Sequence, residues 1–449
     1  MLPAAPPPST ARQRARPRGV VPFAAVLALL GSLGSALVVA QPADAATTLF
    51  VSASGSDANP CTAAAPCATI THALGVGGSG TTIEVSGTIN DHVLVGPFPT
   101  SATVEQWPGQ AAAVVNGSAS GSVFVVPFAS SLTLERVTIT GGMAPQGGGI
   151  NSGGTLTITD STITSNTASL MGGSGQGGGI WSGGTATIAD STITGNSAVV
   201  QSVNESSGGG IFNEGALTIT NSTIIDNSVT GVPAAGGGIA GGGTVGATIV
   251  AANTTNGTTN NCSAPLTSVG YNLTNDGTGA ACGFTQATDK VNVNPDLGPL
   301  AHNGGPTETL LPAVTSPAVG VIPSPTTLNG VSVCGPGALD QRGVARPSPG
   351  PPLCTIGAVE VSNPSLSGGA RMTALPNGTG YWIVHPDGGV FSYGSAPFLG
   401  SLPGLGIHVN NNIVGMASTP DGGGYWLAGS DGGVFAFDAP FYGSAQGHV

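Results

Sequence analysis

Charge is what this chain most lacks. Only 7% of its 449 residues are charged, and just nine of them are basic. Four of the nine (Arg12, Arg14, Arg16, Arg18) crowd the first twenty positions; Arg136, Lys290, Arg342, Arg346 and Arg371 are spread over the rest. With a net charge of -12, the remainder is strongly acidic. Nucleic acids and anionic membrane surfaces call for clustered Lys and Arg, so both are excluded as partners. Good helix formers are also scarce, while Thr, Val, Ile and 75 glycines abound, which makes the chain all-β. No CxxC pair and no His-x-x-x-His spacing occurs, so no zinc site is expected.

The only apolar run long enough to span a bilayer lies at residues 20–40, after the Arg-rich start. Ala43-Asp44-Ala45 then offers small residues for cleavage before Ala46. Residues 1–45 read as a signal peptide, with an uncleaved anchor as the alternative and a secreted or cell-surface location implied. The six cysteines agree with export. They fall into three local pairs, Cys61 with Cys67, Cys262 with Cys282, and Cys334 with Cys354. Six cysteines allow fifteen pairings, and local disulfides are the expected choice.

What the chain does have is repetition. In residues 132–249 one phrase recurs: Gly148-Gly149-Ile150, Thr155-Leu156-Thr157-Ile158, Ser161-Thr162-Ile163. From Ile163 to Ile193 is 30 positions, and from Ile193 to Ile224 is 31. Such a period marks a stacked-repeat fold. Alternation in Thr155-Leu156-Thr157-Ile158 sends Leu156 and Ile158 inward and the threonines outward. Three short strands and three turns per repeat predict one coil of a parallel β-helix. Insertions at 170–176, 199–207 and 229–235 are expected side by side at one corner, where solenoids commonly bind.

Several polar residues keep register. Asn166, Asn196 and Asn227 recur at one turn and are expected to bond to one another as a structural ladder. Asp160, Asp190 and Asn221 form a second file. Asp160 and Asp190 are the candidate catalytic pair, because two carboxylates so spaced could act as acid and base in glycoside cleavage. They could also hold calcium, the one candidate ion; otherwise no cofactor is implied. The competing reading is an Asx turn between strands. Candidate ligand-binding residues are Trp181, Trp382 and Trp426, whose amphipathic rings suit sugars, and Glu205. Outward threonines such as Thr155, Thr157, Thr185, Thr187, Thr218 and Thr220 resemble the Thr-x-Thr arrays of ice-binding solenoids.

Three further resemblances organise the chain. Leu49-Phe50-Val51-Ser52, Gly55-Ser56-Asp57 and Cys67-Ala68-Thr69-Ile70 resemble the N-terminal cap of secreted right-handed parallel β-helix proteins, the pectate-lyase-like solenoids. Asn303-Gly304-Gly305-Pro306-Thr307, Ala338-Leu339-Asp340-Gln341-Arg342-Gly343 and Cys354-Thr355-Ile356-Gly357-Ala358 resemble the choice-of-anchor Q region that ends secreted bacterial β-helix proteins. Asp340, Arg342 and Arg346 are expected there as ion pairs closing the last coil. Finally, Tyr381-Trp382 with Asp387-Gly388-Gly389-Val390-Phe391 returns 44 positions later as Tyr425-Trp426 with Asp431-Gly432-Gly433-Val434-Phe435. This resembles the GYW...DGGVF repeat of secreted bacterial proteins, whose length suits a propeller blade.

The expected organisation is a signal peptide at 1–45, a capped β-helix at 46–290, a C-terminal cap region at 291–362, and two β repeats at 363–449, the second incomplete. Pectate lyases remove a proton with a basic residue; here Arg136 is the one basic residue in 46–288. The reading that follows is adhesion, or binding of an extracellular glycan or cell-wall polymer, without catalysis. A polysaccharide lyase or glycoside hydrolase is the alternative. The C-terminal repeats, too few to close a propeller, are candidates for self-association. N-terminal sequencing of the exported product is expected to start at Ala46; a product still beginning near Met1 would show a retained anchor.

Overall fold

The computed structural model describes residues 47–445, apart from 97–99, 170–172, 174, 201–206, 232–235, 278–281, 349–351, 362–370, 408, 410 and 411. The signal segment, its cleavage site and Glu205 lie outside the described residues. The described chain is nearly all β, a right-handed parallel β-helix of about six turns followed by small antiparallel sheets. No helix among the described residues is long and apolar enough to cross a membrane.

Each full coil carries four short strands, one more than the periodicity suggests. Ile150–Ser152, Thr155–Thr159, Thr162–Thr164 and Thr167–Ser169 make one coil. Ile180–Ser182, Thr185–Ala189, Thr192–Thr194 and Ser197–Val200 make the next, pairing with the first in parallel and in register. The unexpected strand is Thr167–Ser169, in which only small Ala168 points inward and no large apolar residue announces it. The Thr155–Thr159, Thr162–Thr164 and Thr167–Ser169 strands belong to the first, second and third sheets, and Ile150–Ser152, which precedes them in the chain, to the fourth.

Leu156, Ile158, Ile163, Ile180, Ile188 and Ile193 are fully buried and stack on their counterparts above and below. At the next corner the core contains a chain of amides. Asn166 Nδ2 donates to Asn196 Oδ1 (3.0 Å), Asn196 to Asn227 (2.9 Å), Asn227 to Asn253 (2.9 Å) and Asn253 to Asn261 (3.1 Å). Each Oδ1 from Asn196 to Asn253 also accepts the backbone N–H of the preceding asparagine, so a buried turn keeps its polar groups satisfied.

At the N-terminus the helix Ile70–Gly77 covers the first coil with Ile70, Ala73 and Leu74. Thr69 caps it, and Asp57 accepts from the N–H groups of Ala68 and Thr69 and from the Thr69 hydroxyl. Burial works against ionisation of Asp57, but the bonds from Thr69 and Ala68 outweigh it and hold the carboxyl below its usual range. Disulfides join Cys61 to Cys67, Cys262 to Cys282 and Cys334 to Cys354.

The described residues of 291–361 do more than close the last coil. They fold back along the outer face of the second sheet, where Thr162, Thr192 and Thr223 stand in register on successive coils. Thr162 Oγ1 donates to the Glu308 carbonyl, Thr192 Oγ1 to Gln341 Oε1, and Ala358 N–H donates to Thr223 Oγ1. All three threonines are buried, because an outward hydroxyl is a bonding site for whatever lies across it.

Asn196→Ala is expected to lower the unfolding free energy by about 2–3 kcal/mol, since it leaves the buried Asn166 backbone N–H without its acceptor and takes the amide donor from the carbonyls of Ile163 and Thr194. Thr187→Ala, on the open first sheet, is expected to stay within about 0.5 kcal/mol. Paired urea melts check both, and equal midpoints would remove the ladder's claim to stability.

Candidate functional site

Asp160 and Asp190 sit at the corner between the first and second sheets, directly after Thr159 and Ala189, which are register partners. The corner needs a left-handed residue. Arg136, Asp160, Asp190, Asn221 and Ala247 all occupy it, with φ of 55°, 52°, 45°, 48° and 52°. Asp and Asn tolerate this conformation better than most side chains, which gives a backbone reason for the file.

The carboxylates do not face open solvent as a catalytic pair would. Arg346, with no exposed side-chain surface, reaches across from the folded-back segment and places Nη2 3.5 Å from Asp190 Oδ1. Its guanidinium also donates to the carbonyls of Thr355 (2.9 Å) and Gly357 (2.6 Å) and lies 3.5 Å from Glu360. A cationic side chain thus already sits beside Asp190. Asp340 and Arg342 form a second buried pair at 2.7 Å, and Arg342 donates to the Glu360 carbonyl. Arg346 fastens the segment to the flank of the solenoid, several strands before the last coil, whereas Asp340 and Arg342 bond within the segment itself, to each other and to Asn303 and Glu360.

Burial pushes the Asp160 carboxyl up to about 7, with the Asp190 charge adding to the effect and Arg136 opposing it. Asp190 is raised to about 6, again by burial, with Arg346 and Asn221 opposing. Glu360 is also raised by burial, against Arg346. Folded pKa values above the unfolded ones mean that the native state binds more protons between pH 4 and 7.

The other candidates lie apart. Trp181 is on the outer face of the fourth sheet, between Asn151 and Phe212, with its ring over Gly183. Its indole N–H is buried without a partner among the described residues. Trp382 is fully buried and Trp426 is half-buried, both in the C-terminal repeats. Glu205 lies outside the described residues. The inserted loops leave the third sheet after Ser169, Val200 and Gly231 and return to the fourth. Most of the inserted residues themselves lie outside the described residues.

Two features go beyond the sequence reading. One is the extent of the threonine row on the first sheet, of which the repeat pattern gives Thr157, Thr187 and Thr218. Thr48, Thr82, Thr103, Thr133, Thr157, Thr187, Thr218, Thr244 and Thr267 are consecutive register partners, nine threonines in a single file. None is buried. Beside them run Glu84, Glu105 and Glu135, with Arg136 bonded to Glu105 at 2.7 Å and 3.3 Å from Glu135. Burial raises the Glu105 carboxyl, and Arg136 opposes the rise. No large hydrophobic side chain is exposed on this sheet.

The second is a groove of about 360 Å³ between the second sheet and the hairpin of Leu297–Ala301 with Thr309–Pro312. Thr138, Thr140 and Thr164 line its floor, and His302 and Glu308, 3.7 Å apart, stand among its walls. Nothing in the repeat pattern points to it, because the hairpin comes from beyond the repeats.

No protein-family model matches the chain, so the choice-of-anchor Q resemblance rests on its motifs alone. No curated protein matches either. Among solved structures, the crystal structure of pectate lyase Pel9A is similar at a TM-score of 0.35 and 13% identity, covering 67% of this chain and 96% of that one.

Because protonation of Asp160 and Asp190 accompanies folding, their contribution to stability is full below about pH 4 and is lost as pH rises through 6 to 7. Asp160→Asn is expected to flatten the fall in melting temperature between pH 5 and 8 and to raise it at pH 8. An unchanged slope in a pH series of thermal melts would show that the pair does not titrate in this window.

Proposed function

We propose that the protein is exported and binds a neutral, hydroxyl-rich extracellular polymer, a glycan or cell-wall polysaccharide, without catalysis. The observation that carries this reading is the nine-threonine file, none of it buried, on the outer face of the first sheet. Strand stacking repeats these hydroxyls about every 4.8 Å. Evenly spaced groups that both donate and accept match a polymer that presents hydroxyls at regular intervals. The acidic balance of the chain and the carboxylates beside the file disfavour polyanions.

Catalysis at Asp160 and Asp190 is disfavoured by Arg346, which lies where a substrate would have to approach Asp190. The second reading is turnover in the hairpin groove, favoured by the contact of His302 with Glu308.

Thr157→Val with Thr187→Val removes two central hydroxyls while keeping their shape. Co-sedimentation with insoluble cellulose, chitin and cell-wall preparations is expected to show binding by the unaltered chain and at least a tenfold loss in the double variant. Undiminished binding would remove the threonine face from the reading. Release of reducing ends or unsaturated sugars, abolished by Glu308→Gln, would favour the groove instead.

A further inference from the structure

The two C-terminal repeats are alike in sequence and in fold, yet they bury opposite faces. Each is a three-stranded antiparallel sheet: Arg371–Ala374, Gly380–Val384 and Val390–Gly394 in the first, Ile413–Ser418, Tyr425–Gly429 and Val434–Phe437 in the second. In the first repeat Trp382, Val384 and Val390 are buried. In the second, their counterparts 44 positions on, Trp426, Ala428 and Val434, are only half-buried. The other face shows the reverse. Tyr425, Leu427 and Phe437 are buried in the second repeat, whereas Tyr381 is 37% and Tyr393 45% exposed in the first, and Ile383 is half-buried.

Between the repeats, therefore, a Trp-bearing face meets a Tyr-bearing face. Trp382 lies 5.3 Å from Tyr425, ring centre to ring centre. The Tyr425 hydroxyl donates to the Gly400 carbonyl, and the Phe437 ring lies over Gly400. Among the described residues, one copy of each face is left open. The open Tyr face displays Met372, Tyr381, Phe391 and Tyr393, with Tyr381 and Tyr393 stacked at 5.0 Å. The open Trp face is built as its partner is: Trp426 Nε1 donates to the Pro440 carbonyl at 2.7 Å, as Trp382 does to Pro397 at 2.6 Å. Gly443 repeats the conformation of Gly400, with φ of 119° against 121°.

We propose that the open Tyr face of one chain docks on the open Trp face of a second copy of this chain. The occupant follows from the interface already inside the module, since each open face is the equivalent of one that the other repeat buries. In the assembly Tyr381 packs on the partner's Trp426 and donates to the carbonyl of the partner's Gly443, while Tyr393 covers that glycine. Contacts between two different faces run head to tail, and they close into a ring when the rotation permits. Propellers typically close with about four to eight blades, so two to four chains of two blades each complete one. The inference is independent of the glycan-binding reading.

Light scattering coupled to size exclusion on the full chain is expected to give a discrete species of two to four chains at high micromolar concentration. Tyr381→Glu blocks one face; Ala428→Glu, which leaves Trp426 and its bond to Pro440 in place, blocks the other. Each variant alone is expected to be monomeric, with near-ultraviolet circular dichroism unchanged as proof of folding. Mixed in equal amounts, they retain one intact face each and are expected to form a one-to-one dimer. A monomeric unaltered chain, a folded variant that assembles like it, or a mixture that stays monomeric would each overturn the proposal.

Discussion

Parallel strands stacked about 4.8 Å apart force each residue of a coil to lie on its counterpart in the next, and the structure follows from that constraint. A residue type repeated at one coil position becomes a file, and the file takes its role from its surroundings. Isoleucines stack into a core, asparagines become a bonded chain inside a corner, and threonines become a row of hydroxyls. Where a turn requires left-handed backbone, Asp160, Asp190 and Asn221 collect for conformational reasons and resemble an active site only in outline.

The same residue type ends in different states on adjacent sheets. Thr157 and Thr187 reach solvent, while Thr162 and Thr192, one corner away, are sealed under Glu308 and Gln341. Arg346 crosses the same boundary. It brings a buried positive charge to a corner that already holds two acids, and the hydrogen bonds to Thr355 and Gly357 make its burial tolerable. The sealing covers hydroxyls of the second sheet, while the threonine file of the first stays unburied.

Much of the solenoid is legible in the sequence, because Leu156, Ile158 and Ile163 recur at fixed spacing with alternating neighbours. The Thr167–Ser169 strand is not, since its inward residue is only alanine and alanine carries no strand preference. The fold-back is invisible for another reason: Thr192 and Gln341 are 149 positions apart, and a threonine on a strand gives no sign of what will cover it. In the C-terminal repeats, equivalence of Tyr381 with Tyr425 and of Trp382 with Trp426 is plain from the 44-residue offset. Their opposite burial is not, because burial belongs to the neighbour a face meets and not to the residue itself.

The asparagine chain has a direction. Every amide from Asn166 onward gives its hydrogen to the following coil, and the last, Asn261, hands its donors to Thr274, Asn275 and Asp276, side chains outside the repeat. The file therefore has a written beginning and a written terminus, and it acts as a gauge of length. A whole coil could be copied into the chain or dropped from it and every amide would find its mate again; a fraction of a coil would leave one facing nothing. Growth of such a protein is confined to steps of one turn, and the length of its exposed faces is set in the same unit.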